Sequence, residues 1–341
     1  MNSVIGIDIG SHSIKAIEMA RDGNTMTLLS AGSMPTPKRV TTSSTTDLQA
    51  VAYVIKQLLK EAGMRSSSVH VAFPESQVFT RVIEVPQLSE RELSAAIQWE
   101  AEQYIPIPLD QVNMDFTILR DAKATGSGKM EVLLVAAPKT LIDRYTKIVE
   151  LADLDLTAAE TEIIACSRSL ARSVPNLSNV LVASMGAQTT DFAILTKGVI
   201  SVTRSIGAGG EAISRSIGQA LDFNTVQAEE YKKTYGLDKN FLEGKIQLAA
   251  KPVMDTLMTE MKRAIAYFED RHANEKVEAA ILSGGSAKMP GIVAYMAEGL
   301  GIETLLGNPW AGIHMDQRFS VLIPEGTLFS VAVGLALRDT N

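Results

Sequence analysis

Cysteine and positive charge are both scarce in this sequence of 341 residues. The single cysteine, Cys166, cannot form an internal disulfide, so the fold does not depend on an oxidising compartment. With 32 Lys and Arg residues against 39 Asp and Glu residues, the net charge of -7 provides no global attraction to nucleic acid or anionic lipid. We therefore expect no nucleic-acid partner.

Long apolar runs are also missing. Asp8 interrupts the first apolar run, which argues against a signal peptide there, and no stretch approaches the ~20 apolar residues of a transmembrane helix. Hydrophobic residues make up 46% of the sequence and charged residues 21%, which is typical of a soluble globular protein. The sequence thus predicts a cytoplasmic protein without direct membrane insertion, whose membrane association depends on a partner.

An internal repeat is the most informative feature that is present. Residues 4–31 and 180–204 each read as two strands joined by a glycine turn, followed by a tight turn and a third strand. Gly10 in the first copy matches Gly186 in the second. The repeat predicts a second, topologically similar lobe that begins near residue 179.

A separate unit is predicted between the two copies. Ser89 and Glu92 have the spacing of a capping box, and the helix that follows must end before Pro106, because the residue before a proline is disfavoured in the α region. Two strands, a second helix and a short strand follow, and this α-β-β-α-β order indicates a subdomain inserted into the first lobe. The expected boundaries are 1–85 and 156–178 for the first lobe, closed by 328–341, then 86–155 for the insert and 179–327 for the second lobe.

The first repeat turn has residue types that bind a phosphate chain. Glycine and small hydroxyl residues let backbone N–H groups approach closely. Lys15 on the next strand is expected to point at the same phosphates, and Asp8 to hold Mg2+ through water. A later strand leads to Gly284, Gly285 and Ser286 and then to a helix, which suits a nucleobase and ribose. An ordinary glycine hairpin is the alternative interpretation of the first turn.

These three glycine turns, in this order over two lobes, resemble those of the superfamily of actin, sugar kinases and heat-shock chaperone ATPases. The resemblance implies an α/β fold of the actin-like (ribonuclease H-like) type, with ATP and Mg2+ bound between two lobes. It also implies that Glu229 and Lys232, which share a helix face, contact the ribose; a solvated salt bridge is the alternative. The candidate cofactor-binding residues are Gly10, Ser11, His12, Ser13, Lys15, Gly186, Ala187, Gln188, Thr189, Glu229, Lys232, Gly284, Gly285, Ser286 and Lys288.

One departure from that superfamily concerns the second turn. Ser184 stands two residues before Gly186, where the superfamily usually has an aspartate; its hydroxyl can hydrogen-bond a phosphate or a metal-bound water but supplies no charge. Magnesium binding is then expected to depend on Asp8, helped by Glu162, which is also the candidate catalytic residue, with Ser184 as a secondary metal candidate. We therefore expect a nucleotide-binding protein that is at most a weak ATPase.

Within the superfamily the chain is similar to the PilM family of type IV pilus assembly proteins. The similarity rests on segments 99–108 (WEAEQYIPIP), 159–168 and 308–310, and the insert is similar to one that PilM shares with the division protein FtsA. It implies a scaffold at the inner membrane that docks the cytoplasmic N-terminal tail of a PilN-like membrane protein in a groove beside residues 86–155. Other pilus assembly proteins are further candidate partners.

Three other functional classes fit parts of the sequence. A metabolic kinase of the same superfamily would need an acidic catalytic base in the cleft, and Ser184 argues against strong phosphoryl transfer. An FtsA-like, filament-forming membrane organiser and the cytoplasmic part of the type II secretion protein GspL are the other two. For the insert, the alternative to a docking surface is that Trp99 and Tyr104 pack only its own small core.

Overall fold

The computed structural model describes residues 3–37, 44–125, 128–272 and 275–338. The strands in these ranges are β1 (Ser3–Ile9), β2 (Ser13–Asp22), β3 (Thr25–Pro35), β4 (Ser68–Phe73), β5 (Phe79–Pro86), β6 (Val112–Arg120), β7 (Lys129–Pro138), β8 (Asp155–Thr161), β9 (Asn179–Met185), β10 (Thr190–Thr196), β11 (Val199–Ile206), β12 (Ala279–Ser283), β13 (Glu303–Leu306) and β14 (Ile313–His314). The α-helices are α1 (Thr45–Ala62), α2 (Glu90–Tyr104), α3 (Ala122–Thr125), α4 (Lys139–Leu151), α5 (Glu162–Ala171), α6 (Gly210–Leu221), α7 (Thr225–Tyr235), α8 (Lys245–Arg271), α9 (Ile292–Leu300) and α10 (Gly326–Ala336).

The two largest sheets share one strand order. One runs β14-β3-β2-β1-β4-β8 and the other β11-β10-β9-β12-β13. In each sheet three consecutive strands pair antiparallel and two later strands add in parallel, and the first sheet has one more parallel strand, β14, beside β3. Gly23 and Gly198, with positive φ of 54° and 80°, allow the tight turns before the third strands. The repeat in the sequence is therefore a repeat of sheet topology, and the predicted two-lobed α/β fold is confirmed.

Both sheets are covered on both faces. Helices α1 and α4 cover the outer face of the first sheet, and α6 and α8 cover that of the second. Helices α5 and α10 lie between the sheets and contact strands of both. This coverage explains the nearly continuous apolar runs of β9 and β12, which are typical of parallel strands buried on two faces.

Two glycines allow the helices between the sheets to pack closely. A Cβ at Gly6 of β1 would lie 2.1 Å from the carbonyl oxygen of Ala332 in α10, and one at Gly334 of α10 would lie 1.8 Å from the carbonyl oxygen of Ala165 in α5. A larger residue at either place would push α10 away from its neighbours. The two lobes therefore meet along α5 and α10 at backbone contact distance.

A third sheet of three antiparallel strands, β5-β7-β6, forms the centre of the insert. Leu93, Ile97 and Ala101 lie on one face of α2 and are buried against this sheet. The capping box is present, since Glu92 accepts a hydrogen bond from the backbone N–H of Ser89 at 2.9 Å. Helix α2 ends at Tyr104, ahead of the two prolines, as the sequence predicts.

Helix α2, strands β6 and β7, helix α4 and strand β8 follow in the expected order, with the short helix α3 between β6 and β7, but they do not form one unit. Strand β5 belongs to the three-stranded sheet, whereas α4 packs on α1 and β8 pairs in parallel with β4 of the first lobe. Tyr145 and Ile148 of α4 are buried in the first-lobe core. Local periodicity gives the type of an element but not the sheet that it joins. We therefore propose that the insert spans 79–138 in place of the expected 86–155.

The chain also returns to the first lobe before the expected residue 328. Trp310 is 6% exposed and packs with Phe329 and with Met26 of β3, and β14 pairs with β3. We therefore propose that the second lobe, expected at 179–327, ends after β13. Residues 339–341 of the expected closing segment lie outside the described residues.

One helical run among the described residues, Gln317–Ala336, is long and apolar enough to cross a membrane by length and composition alone. The run was not expected from the sequence, since Arg318, Pro324 and Glu325 interrupt it. More than half of it is buried inside the protein, and its second part, α10, lies between the two sheets. Burial accounts for the apolar composition of α10, whereas no residue of the first part, Gln317–Glu325, is buried.

The insert also contacts the second lobe. Arg120 of β6 donates to Glu131 of β7 at 2.6 Å, and Nε2 of His272, just beyond α8, lies 3.8 Å from the same carboxylate. Thr203 of β11 donates to the backbone carbonyl of Thr80 in β5 at 3.3 Å. The insert thus contacts the second lobe through His272 and through Thr203. Both ends of the insert are covalently connected to the first lobe.

Candidate functional site

A cleft of about 630 Å³ lies between the two lobes, which is a volume typical of small-molecule sites. It lies at the carboxyl ends of the parallel strands β1, β8, β9 and β12, where ligands bind in open α/β sheets. The residues expected from the sequence that line it are Asp8, Gly10, Ser11, His12, Ser13, Lys15, Glu162, Ser184, Gly186, Ala187, Gln188, Thr189, Glu229, Lys232, Gly284, Gly285, Ser286 and Lys288. The fold brings together every candidate, although their roles as ligands stay a prediction.

Asp8 and Lys15 face each other across the first hairpin. They are opposite in the β1–β2 register, and Nζ of Lys15 lies 3.1 Å from Oδ2 of Asp8. The turn between them needs glycine, since a Cβ at Gly10 would lie 3.0 Å from the carbonyl oxygen of Ser13. Lys15 therefore reaches the cleft as one member of a largely buried ion pair.

Ser184 and Asp191 occupy the corresponding places in the second hairpin. They are opposite each other in the β9–β10 register, so the carboxylate here is on the second strand and not on the first. Asp191 is 3% exposed and accepts hydrogen bonds from Ser205 at 2.5 Å and from Thr189 at 3.0 Å. Burial raises the pKa of its carboxyl group. The second hairpin therefore brings a carboxylate to the cleft although Ser184 does not supply one.

Sequence reasoning missed Asp191 as a site residue. The signal was its place in the repeat, where it corresponds to Lys15 and lies opposite Ser184. Ser76, Gln77 and Arg144 also line the cleft, and they belong to no motif that the sequence made visible.

The Gly-Gly-Ser turn is fixed against the second hairpin. Gly284 has φ of +84°, and a Cβ there would lie 2.5 Å from the carbonyl oxygen of Met185, so the position requires glycine. Ser286 donates a hydrogen bond to the carbonyl oxygen of Gly186 at 3.2 Å. A Cβ at Gly285 would meet a single side-chain atom, at 3.6 Å, and this residue lines the cleft. Position 285 therefore controls how much room the cleft offers.

Glu229 and Lys232 form an ion pair beside the cleft. Nζ of Lys232 lies 2.6 Å from the Glu229 carboxylate and donates to the carbonyl oxygen of Gly210 at 2.9 Å. Burial alone would raise the pKa of Glu229, but hydrogen bonds from Lys232 and Ser214 outweigh it and lower that pKa to about 2. Lys232 is only 5% exposed, whereas the Glu229 side chain is 32% exposed, so the pair is partly buried; contact with a ribose and a purely structural salt bridge both stay predictions.

Two candidates at the cleft mouth are engaged with neighbouring carboxylates. Lys288 pairs with Glu325 at 2.5 Å. Nδ1 of His12 lies 3.8 Å from Glu211 of α6, so this contact joins the first lobe to the second across the cleft.

Two further carboxyl groups are associated with the cleft: Glu162 lines it, and Glu75 lies between Pro74 and Ser76, which line it. Glu162 begins α5, and burial raises its pKa well above the usual range, with the charges of Asp8 and Asp191 raising it further. Glu75 is 6% exposed, and its Oε2 has no hydrogen-bond partner among the described residues. Burial raises the pKa of Glu75 to about 7, and the charge of Asp191 adds to this. Burial therefore favours the protonated form of both glutamic acids relative to an exposed carboxyl group.

The donor set fits a magnesium ion that arrives with a nucleotide. In the part of the chain that the structure describes, no three His, Cys, Asp or Glu side chains converge as a ready-made metal site. Magnesium usually keeps several waters and binds through one or two carboxylates together with substrate phosphates. Asp8 and Asp191, which both line the cleft, suit that mode of binding.

Comparison with known proteins gives consistent likenesses. Residues 6–340 match the family model described as type IV pilus assembly protein PilM. A PilM–PilN type IV pilus biogenesis complex has a TM-score of 0.86, with 28% identity and 98% of each chain covered. Cell division protein FtsA of Pseudomonas aeruginosa is 24% identical, over 98% of this chain and 88% of that protein. MreB5 of Spiroplasma citri bound to AMPPNP has a TM-score of 0.54 at 14% identity, over 98% of this chain and 95% of that one. These likenesses show an actin-like fold.

Glu75 predicts a pH dependence of stability. The pKa of Glu75 is about 7 in the folded protein, against 4.5 for an ordinary glutamate side chain. Between these two pH values the unfolded chain therefore loses a proton that the folded chain keeps. The free energy of unfolding should therefore fall as pH rises from about 4.5 to 7, by on the order of 3 kcal/mol from this group. Glu75→Gln should remove that component, which leaves the variant more stable than the unmodified protein at pH 8.

Urea unfolding at pH 5 and pH 8 measures this difference. Glu150→Gln is the matched control, because the side chain of Glu150 is 57% exposed, and its curves should follow those of the unmodified protein. Equal pH dependence in the Glu75→Gln variant and the unmodified protein would contradict the assignment.

Proposed function

Because this chain belongs to the family of type IV pilus assembly protein PilM, we propose that it is an ATP-binding scaffold that docks the cytoplasmic N-terminal tail of a PilN-like inner-membrane protein. Such a protein would be cytoplasmic and peripheral at the inner membrane through that partner. The similarity to a PilM–PilN complex over 98% of each chain supports this choice.

The cleft supports nucleotide binding. The residues of its two hairpin turns, one from each lobe, line the cleft. The backbone N–H groups of such turns can bind phosphate oxygens. Asp8 and Asp191 would hold Mg2+ through water, and the Gly-Gly-Ser turn would accept the nucleoside. ATP bound to both lobes would favour their closed arrangement, because it binds that arrangement more tightly.

Weak hydrolysis is supported by the residue at position 184. Burial and the neighbouring carboxylates raise the pKa of Glu162, the candidate catalytic residue, well above its usual range, and that direction is compatible with a general base. Ser184 adds no charge at the second hairpin, so binding rather than turnover is the function that this cleft favours.

The outer face of α2 supports docking of a peptide. Trp99 is 63% exposed, so the alternative that it packs the core of the insert is wrong for this residue. The guanidinium of Arg81 lies 4.1 Å from the ring centroid of Tyr104, and Ile105, which precedes Pro106, has extended backbone with φ of -85° and ψ of 118°. Exposed tryptophan and tyrosine are typical anchors of protein interfaces. An extended tail with apolar side chains suits such a surface.

ATP with Mg2+ is expected to raise the thermal midpoint, because a ligand of the folded state stabilises it by about 2.7 kcal/mol at 100 times its Kd. Gly285→Val should abolish this shift, since the side chain enters the cleft. Gly207→Ala is the control, as its Cβ would meet nothing within 4 Å. No shift and no calorimetric heat at millimolar ATP in the unmodified protein would refute nucleotide binding.

Ser184→Asp is expected to raise the steady-state rate of phosphate release by about tenfold, which corresponds to about 1.4 kcal/mol in the barrier. The physical reason is that the added carboxylate would help hold Mg2+ through water beside the phosphates. Ser184→Asn is the control: asparagine has a size similar to that of aspartate but no charge, so the rate should stay low. Brisk release by the unmodified protein that Asp8→Ala abolishes would overturn the claim of weak hydrolysis.

A synthetic peptide of the partner's N-terminal tail is expected to bind with about micromolar affinity, near -8 kcal/mol. Trp99→Ala should weaken it by about 2 kcal/mol, as for a buried aromatic anchor. Tyr53→Ala is the control, because Tyr53 on α1 is equally exposed at 64% against 63%. Fluorescence anisotropy measures both affinities, and equal binding by the two variants would show that the outer face of α2 is not the docking surface. Deletion of 86–155 is unsuitable, since it removes α4 from the first lobe together with the first residue of β8.

A further inference from the structure

The short segment after β4 belongs both to the cleft and to the insert. Pro74, Ser76 and Gln77 line the cleft wall. Gln77 ends a single 3₁₀ turn, and β5 of the insert begins two residues later at Phe79. A displacement of Gln77 by a cleft ligand would therefore act directly on the first strand of the insert.

Arg144 holds this segment from the first lobe. It lies on α4 and lines the cleft, and its Nη2 donates to Oε1 of Gln77 at 2.6 Å. Its neighbour Tyr145 is 1% exposed in the first-lobe core, so the backbone that carries Arg144 is fixed. A guanidinium binds phosphate oxygens through two parallel hydrogen bonds between opposite charges, whereas Gln77 offers it one neutral amide oxygen.

The other side of the segment is fixed as well. Glu75, between Pro74 and Ser76, is buried, and the backbone carbonyl of Thr80 in β5 accepts the hydrogen bond from Thr203 of the second lobe. A shift of the Gln77 backbone is therefore opposed on both sides of the segment. We expect such a shift to displace the start of β5, which begins at Phe79.

We propose that Arg144 binds the terminal phosphate of a nucleoside triphosphate in the cleft and, by giving up its hydrogen bond to Gln77, couples the nucleotide state to the position of the insert. This inference rests on the proposed nucleotide binding. A nucleoside diphosphate has no terminal phosphate at that place, so it leaves the Arg144–Gln77 bond intact. The tail-binding surface of the insert then differs between the two nucleotide states.

Calorimetry with ATP and ADP tests the binding role. The unmodified protein should prefer ATP, and Arg144→Lys should lower the affinity for ATP by about tenfold with little change for ADP, because lysine keeps the charge but loses the planar fork. Gln77→Ala should raise the affinity for ATP severalfold, since it removes the competing acceptor. Arg172→Lys is the control, as Arg172 donates only to backbone carbonyls of Ala311 and Gly312, away from the cleft.

The opposite signs at Arg144 and Gln77 separate this coupling from a merely structural effect, which would lower both affinities. The tail peptide should bind the unmodified protein with different affinity in ATP and in ADP, and Gln77→Ala should remove the difference. An unchanged ratio of ATP to ADP affinity in Arg144→Lys would overturn this inference alone, while absence of any nucleotide binding would overturn the proposed function with it. Equal peptide affinity in ATP and ADP by the unmodified protein would overturn the coupling.

Discussion

The passage of α10 between the two sheets is the constraint on which the rest of the structure depends. Gly6 and Gly334 remove the side chains that would separate α10 from β1 and from α5. His70 of β4 adds a polar tie, with Nδ1 2.8 Å from the carbonyl oxygen of Leu335. Since both lobes rest on this pair of helices, their sheets present their carboxyl ends to one cleft.

Charge in that cleft is divided unequally between the lobes. On the first hairpin, the carboxylate of Asp8 and the ammonium group of Lys15 neutralise each other. On the second hairpin, the carboxylate of Asp191 accepts hydrogen bonds from the hydroxyl groups of Thr189 and Ser205. Glu162 lies between them, and its raised pKa reflects burial in a region already rich in negative charge. Such a cleft favours a ligand that brings its own cation, as a nucleotide with magnesium does.

Sequence patterns predicted the parts of this fold that local rules decide. Glycine turns, the capping box at Ser89 and the stop before Pro106 each depend on neighbouring residues, and the structure confirms them. The role of α4 and β8 depends on long-range pairing, which no local pattern contains. Asp191 is identified as a cleft residue only from the register of β9 and β10. Arg144 is identified only once it is known that α4 borders the cleft. Neither could be predicted from the sequence alone.

The contacts of the insert with the second lobe have a mechanical consequence. The insert is covalently joined to the first lobe, and Arg120, Glu131 and His272 join it to the second, so the three bodies form a closed ring of contacts rather than an open chain. Three bodies in a closed ring have fewer independent rotations than three in series. Under the proposed docking, a load from a membrane-anchored tail on the insert would therefore be shared by both lobes, and the close packing of α5 and α10 would carry the resulting torque.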